Sequence, residues 1–192
     1  MEVTEAQREV RTVFMGGFPG QIVSGLLWLI SAGMSTWVST RAGTLFLVLG
    51  GVFIFPVTLL LLSAMRRPTS LSKTNPLGQL ARQLAFTVPM GLPLAGAAAM
   101  HRLDWFYPAC MIVVGAHYLP FSFLYGMWQF SVLAYVMVLA GLMLGLYIPA
   151  PFATGAWFTG ALLLLFAFFG RRVALREATQ QDVGTGLGPP AA

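Results

Sequence analysis

Apolar residues fill most of the chain in six long runs, which short polar or proline-containing segments separate. Each run has roughly the 20 residues that a helix needs to cross a bilayer. From Trp105 to Gly170 there is no Lys, Arg, Asp or Glu, and this stretch alone has room for three crossings. The runs predict six spans: Met15 to Trp37, Ala42 to Met65, Leu84 to Met100, Phe106 to Met127, Phe130 to Tyr147 and Phe152 to Gly170.

Composition decides between a membrane protein and a soluble one. Of the 192 residues, 57% are hydrophobic and 9% are charged, whereas a typical soluble domain has about 25% charged residues. A water-soluble fold of this size cannot bury so much apolar surface. We therefore predict an all-α fold, a polytopic transmembrane helical bundle of six spans.

Three segments follow from this pattern. Residues 1–14 favour either a short helix at the membrane surface or a frayed polar tail. Such a helix would begin with a capping box of Thr4 and Gln7 and would place three apolar side chains on one face: Val3, Val10 and Phe14. Residues 15–170 form the membrane domain. Residues 171–192 are predicted to be a basic cytoplasmic tail that ends in disordered Gly- and Pro-rich sequence.

The basic residues predict the orientation of the bundle, because Lys and Arg are retained on the cytoplasmic side of membranes. With the N-terminus inside, the outside keeps only Arg41 and Arg102. The cytoplasm then has the other nine: Arg8, Arg11, Arg66, Arg67, Lys73, Arg82, Arg171, Arg172 and Arg176. We expect both termini in the cytoplasm.

His117 lies deep within a predicted span, where there is no Lys, Arg, Asp, Glu or second His. A residue of this kind inside a membrane is a functional candidate by default. Pro120 has no N–H, so we expect a kink and a free carbonyl at Ala116. If the helix continues, a polar stripe accompanies the histidine: Tyr118, Ser122, Tyr125 and Gln129. The alternative is a neutral histidine that bonds a neighbouring helix and fixes packing. Its expected partners are Gln21, Ser24, Ser31 and backbone near Pro89 and Pro93.

Two other spans carry features that would face the same interior. Gln21 and Ser24 belong to a stripe of small and polar residues, which is otherwise typical of helix packing in lipid. Gly91 lies between Pro89 and Pro93, which favour a bent or broken helix. Spans one, three and four are thus predicted to form a ligand site from His117, Tyr118, Gln21, Ser24, Ser122 and Gly91.

An alignment of the second and fourth spans indicates an internal repeat. Gly51 to Leu60 matches Gly115 to Leu124 without gaps and shares Gly, Pro and Leu at equal spacing. A repeated two-helix hairpin of this kind occurs in some transporters. Chance similarity between two apolar helices is the alternative.

Several function classes lack the residues that they need. The predicted spans contain no Asp or Glu to carry protons, no His, Cys, Asp and Glu at metal-ligand spacing, and no phosphate loop. We predict neither metal nor cofactor. The net charge of +5 comes from residues that flank spans, which argues against nucleic acid as a partner. Cys110 is predicted to be a buried packing residue.

Two segments carry a resemblance to a known group of proteins. They are Gly16 to Gly25 with Trp28 and Ser31, and Gly115 to Phe121 with Tyr125 to Met127. In these segments the chain resembles small bacterial membrane proteins grouped as domains of unknown function, through most of its length to Gly170. The resemblance implies no activity. Ten Arg against one Lys also fits a GC-rich bacterial genome, and we expect the protein in the bacterial inner membrane.

Three functions remain open at this stage. The first is binding or transport of a small neutral or amphipathic molecule. The second is a non-catalytic accessory subunit, whose partners are lipids and either a second copy or another membrane protein. The third is an intramembrane lipid-modifying enzyme with His117 as acid and base, for which no second catalytic group is evident.

Overall fold

The computed structural model describes the backbone of residues 1–184 and the side chains of residues 1–176. Within this part of the chain every regular element is helical. The helices are α1 (Val3–Val13), α2 (Phe18–Trp37), α3 (Thr40–Gly51), α4 (Ile54–Ala64), α5 (Gly78–His101), α6 (Phe106–Tyr118), α7 (Phe121–Tyr125), α8 (Gln129–Leu146) and α9 (Thr154–Gly184). Two 3₁₀ turns, Met15–Gly17 and Leu103–Trp105, precede α2 and α6.

Five helical segments are long and apolar enough to cross a membrane. They are Met15–Trp37, Gly78–His101, Leu103–Tyr125, Gln129–Leu146 and Thr154–Arg176. The bent pair of α3 and α4 makes a sixth crossing when it is counted as one span. The predicted all-helical transmembrane bundle is confirmed, and its first span has the predicted bounds.

The second span bends by 60° between α3 and α4, where the apolar run predicts a continuous helix. Gly51 weakens the helix here, and Pro56 removes the N–H that would bond the carbonyl of Val52. The N–H of Phe53 bonds a carbonyl three residues back, at 2.9 Å, which tightens the turn. The aligned part of the fourth span is also interrupted, before α7. The internal repeat itself stays a prediction.

The third span is one helix, so the predicted break at Pro89 and Pro93 is wrong, and the predicted alternative, a bend, stays a prediction. Both prolines lie inside α5, which continues from Gly78 to His101. Each proline removes one backbone hydrogen bond, but inside a membrane no water competes for the remaining ones, so transmembrane helices tolerate proline. The expected irregular backbone for a ligand is therefore absent from α5.

Two closely packed helix pairs form the centre of the bundle, α2 with α9 and α6 with α8. Glycines set the approach of the first pair: a Cβ at Gly160 would lie 3.0 Å from the carbonyl oxygen of Gly25. The bent pair α3–α4 packs on α2, and α5 packs on α6 and on the turn before it. Span three thus packs on span four rather than on span one.

Helix α1 packs across one end of the bundle, against α7, α9 and the turn before α2. We call this end the α1 end, and the end that carries residues 38–39, 102–105 and 147–153 the far end. The side chains of α1 that face the bundle are Ala6, Val10 and Val13. The predicted face is wrong in one member, because Val3 is exposed. The helix begins at Val3 with a capping box of Glu2 and Glu5, in which the Glu5 carboxylate accepts from the N–H of Glu2 at 3.2 Å.

Two polar side chains of α1 bond to backbone carbonyls of α7. Gln7, predicted to cap the helix, instead donates to the carbonyl of Phe123 at 2.6 Å. Arg11 donates to the carbonyl of Tyr125 at 2.5 Å. Both carbonyls belong to α7, whose last turn leaves carbonyls without a partner four residues on; that of Phe123 also accepts from the N–H of Gly126 at 3.2 Å. Helix α1 therefore caps α7.

The last span continues well beyond the apolar run. Helix α9 extends to Gly184, past Arg171 and Arg172, so the basic segment begins as helix. The predicted disorder of residues 185–192 lies outside the described residues.

Candidate functional site

His117 bonds to the third span. Its Nδ1 lies 2.5 Å from the hydroxyl of Thr87, which is also 2.9 Å from the carbonyl of Leu84. The imidazole is half-buried, and its ring meets that of Phe121 edge to face at 4.8 Å. The expected partners of His117 in span one are wrong: Ser31 bonds to Tyr107 instead.

Tyr118 lies in a buried aromatic cluster at the start of α7 and α8. Its ring stacks on Phe130 at 6.1 Å, and Phe121 and Tyr125 complete the group. The helix is interrupted at Leu119 and Pro120, between α6 and α7, but the carbonyl of Ala116 is not free, because the N–H of Leu119 bonds to it at 3.3 Å. Rings therefore occupy the place where the sequence predicts a polar lining.

Ser122 and Gly91 have local roles in this structure. The Ser122 hydroxyl donates to the carbonyl of Leu119, three residues back, at 2.7 Å. A Cβ at Gly91 would lie 2.5 Å from a methyl carbon of Val113. Gly91 thus lets α5 approach α6 closely, and Ser122 satisfies a carbonyl beside the kink.

Gln21 and Ser24 are buried in α2, away from the Thr87–His117 contact. The Gln21 side-chain oxygen is buried without a hydrogen-bond partner. Of the six predicted site residues, only His117 and Tyr118 contact each other through their rings, at 5.6 Å. The structure thus divides the predicted site, and a ligand role for its members stays a prediction.

We expect His117→Phe to lower the free energy of unfolding by about 0.6 kcal/mol, the mean for interhelical hydrogen bonds in a membrane protein. The phenyl ring keeps the edge contact with Phe121 but loses the bond to Thr87. Thr87→Val should cost a similar amount, and the double variant little more, because both remove one bond. Unfolding in mixed detergent micelles measures all three. If the double variant lost as much stability as the two single variants together, a direct bond between His117 and Thr87 would be contradicted.

A second polar cluster joins α2, α3 and α6 near the far end. The Tyr107 hydroxyl lies 2.6 Å from that of Ser31 and 2.7 Å from that of Ser35. Ser31 donates to the carbonyl of Gly43 at 2.9 Å. Each hydroxyl can therefore donate once along a chain from Ser35 through Tyr107 and Ser31 to the Gly43 carbonyl. All donors are used, which indicates a role in holding the helices together.

A cleft of about 320 Å³ opens at the far end, between the turn before α6 and the segment that joins α8 to α9. Its walls include the aromatic residues Trp105, Tyr147 and Phe152 and the charged residues Arg102 and Asp104. This volume is within the range of small-molecule sites, about 300–1,000 Å³. The cleft is a candidate binding site that the sequence reasoning missed.

An apolar groove of about 210 Å³ adjoins the cleft between α8 and α9. Both hollows are lined by Leu144, Ile148 and Thr154. The other groove residues are Ala140, Met143 and Phe158. A charged cleft at the helix ends thus continues into an apolar groove along the spans.

The charged residues of the cleft have no salt-bridge partner recorded within the described residues. The Arg102 guanidinium lies over the Trp105 ring, 5.4 Å from its centroid. The indole N–H of Trp105 is buried without a hydrogen-bond partner. One sequence signal pointed here: Asp104 is the sole carboxylate between Glu9 and Glu177. No group of three or more metal-ligand residues occurs in the described part of the chain.

Comparisons with known proteins give a family and no activity. No curated protein and no solved structure matches the chain. The model of one family, described as a family of unknown function (DUF7010), matches residues 3–172. That range covers α1 and the membrane-spanning helices as far as Arg172 in α9. The chain therefore belongs to the DUF7010 family of unknown function.

Proposed function

We propose that the protein binds a small amphipathic molecule at the far end of the bundle. The observation that carries the proposal is the continuity of the charged cleft with the apolar groove through Leu144, Ile148 and Thr154. An amphipathic ligand would place its polar head in the cleft and its chain in the groove. Each part of such a ligand would then meet surface of its own polarity.

The position of the two hollows along the spans supports the same ligand class. Helix α8 ends at Leu146 and α9 begins at Thr154, so the cleft is at the level where spans leave the membrane. Tyr and Trp favour this level, and Tyr147 and Trp105 line the cleft. The groove follows α8 and α9 toward the hydrocarbon. A molecule that enters from the lipid can therefore reach the site sideways.

The aromatic cluster at the start of α7 and α8 supports binding at the far end better than transport through the bundle. The rings of Tyr118, Phe121, Tyr125 and Phe130 contact one another there, toward the α1 end, and leave no polar lining between α6 and α8 at this level. Trp105 and His117 are separated by about 18 Å of helix. The cleft and the His117 region are thus distinct places.

We expect Gly145→Phe to weaken binding of a single-chain phospholipid at least about tenfold, which corresponds to about 1.4 kcal/mol. Gly145 lines the cleft, and a Cβ there would lie 3.3 Å from Pro108, so the ring fills the space for the head. Gly96→Phe is the matched control, because a Cβ at Gly96 meets nothing within 4 Å.

Native mass spectrometry of protein released from micelles measures this binding. The proposal expects a saturable one-to-one adduct with wild type and Gly96→Phe, and its loss in Gly145→Phe. Equal, unsaturable adducts in all three proteins would exclude a built site at the cleft.

We also propose that the protein lies in the bacterial inner membrane with the α1 end in the cytoplasm. Nine of the eleven basic residues are at that end or in the segments that join it, which the positive-inside rule favours. Reporter fusions after Arg67 and after Arg172 should both report cytoplasm. A fusion after Arg41 should report the outside. The proposed topology has an even number of crossings between Arg67 and Arg172. Fusions that report opposite sides for these two residues would contradict it.

A further inference from the structure

We infer that the head group which the cleft takes is zwitterionic, with an anionic group that binds at Arg102 and a cationic group at Asp104. This inference rests on the proposed binding function and specifies its ligand. It depends on the two opposite charges that border one hollow. Neither side chain forms a salt bridge with another of the described residues.

Arg102 is suited to a phosphate or carboxylate group. A guanidinium has five N–H donors and no acceptor. That of Arg102 lies over the ring of Trp105, 5.4 Å from its centroid. Arginine binds planar or tetrahedral oxyanions through two parallel hydrogen bonds.

Asp104 supplies the complementary charge. It is exposed in the 3₁₀ turn Leu103–Trp105, before the N-terminus of α6. The positive partial charge at the first turn of a helix attracts a carboxylate at this position. A carboxylate beside aromatic rings is the kind of surface that binds a substituted ammonium group. Asp104 is thus matched to the cationic part of a zwitterion.

A ligand with one charge would leave the other side chain unmatched. An anionic head would bring negative charge close to Asp104, and a cationic head would bring positive charge close to Arg102. The two side chains therefore select a head group by repelling like charge as well as by attracting opposite charge. A zwitterionic head satisfies both residues and adds no net charge at the membrane surface.

Three amphiphiles with the same acyl or alkyl chain test this inference in the binding assay: one with a phosphocholine head, one with a phosphoglycerol head and one with a trimethylammonium head. We expect wild type to bind the phosphocholine amphiphile about fivefold more tightly than either other. Arg102→Gln should remove the preference over the cationic amphiphile. Asp104→Asn should remove the preference over the anionic one. Both side chains are exposed, so the variants should keep the fold, and unfolding in mixed micelles checks this.

The outcomes separate the inference from the proposed function. Equal binding of the three heads, still lost in Gly145→Phe, would overturn the zwitterionic head and keep the amphipathic site. Absence of saturable binding for all three would overturn both. Glycerophosphocholine has the head group but no chain, so its binding shows whether the site takes a lipid-like amphiphile or a soluble zwitterion. Binding as tight as that of the amphiphile would support zwitterion recognition but assign the site to a soluble ligand.

Discussion

Replacing Gly16 with valine should lower the free energy of unfolding by about 2–5 kcal/mol, the largest loss that we expect from one substitution. Gly16 has a φ of 65°, in the left-handed region. A β-branched residue is strained there by about 1–2 kcal/mol. A Cβ at Gly16 would also lie 2.6 Å from the carbonyl oxygen of Gly170. Backbone cannot move aside as a flexible side chain can.

The expected loss comes from the α2–α9 pair. Gly16 and Gly170 face each other, because a Cβ at Gly170 would lie 2.8 Å from the carbonyl of Gly16. Forcing these backbones apart would also open the contact of Gly25 with Gly160. The matched control is Gly96→Val, whose Cβ meets nothing within 4 Å. Unfolding in mixed micelles should place the control within about 1 kcal/mol of wild type. Equal stability of the two variants would show that the pair does not depend on this approach.

Replacing Glu9 with glutamine should weaken the docking of α1 by about 1–2 kcal/mol, as expected for charge-assisted hydrogen bonds that are partly exposed. The carboxylate accepts from the N–H of Ser72 at 2.6 Å, from the Ser72 hydroxyl at 3.0 Å and from the Asn75 amide at 2.8 Å. A carboxamide has one acceptor oxygen and no charge, so it cannot accept all three bonds. Asn75 also donates to the carbonyl of Ala6 at 3.1 Å.

Hydrogen exchange of the Val10 amide at fixed pH measures the release of α1. The control is Glu5→Gln, which removes the same charge from the same helix and keeps a residue that suits its capping position. We expect about tenfold faster exchange in Glu9→Gln and little change in Glu5→Gln. A similar effect of both substitutions would mean that charge on α1, and not the bonds of Glu9, holds the helix.

The same contacts predict the effect of acid. The backbone N–H of Ser72 holds the pKa of Glu9 below its ordinary value of 4.5, helped by the Asn75 amide and the Ser72 hydroxyl and opposed by partial desolvation. A lowered pKa in the docked state means that docking is fully stabilised above pH 4.5 and weakens as the pH falls through the docked-state pKa. The distance between spin labels at Thr4 and Thr69 should therefore stay constant above pH 4.5 and increase as the pH falls through the docked-state pKa.

The sequence was a sufficient guide to the spans, because apolar runs bounded by charged residues are a direct consequence of the bilayer. It also predicted that Pro120 disturbs the fourth span, where α6 ends and α7 begins. The break that it allowed at Pro89 and Pro93 is absent, because the effect of a proline depends on what packs beside it. At Gly91 the close contact with Val113 holds α5 against α6 through this region.

The site was harder to predict, because depth along a span says nothing about which face a residue occupies. His117, Gln21 and Ser24 were grouped by depth, but α5 packs outside α6 and supplies Thr87 as the partner of the histidine. The cleft at the far end is built from turns that are distant in sequence, near Arg102 and near Pro149. In a hydropathy profile both turns are simply segments that connect two spans. Only the position of Asp104 marked one of them as unusual.

Photo-crosslinking tests the amphipathic site most directly. The probe is a phosphocholine amphiphile with a diazirine at the end of its chain, and peptide mapping locates the adducts. We predict adducts on Met143 and Phe158 of the groove, and their loss in Gly145→Phe. The contradicting result is labelling spread over the exposed face of α5, at residues such as Met90 and Leu94, with no enrichment in the groove and no effect of Gly145→Phe.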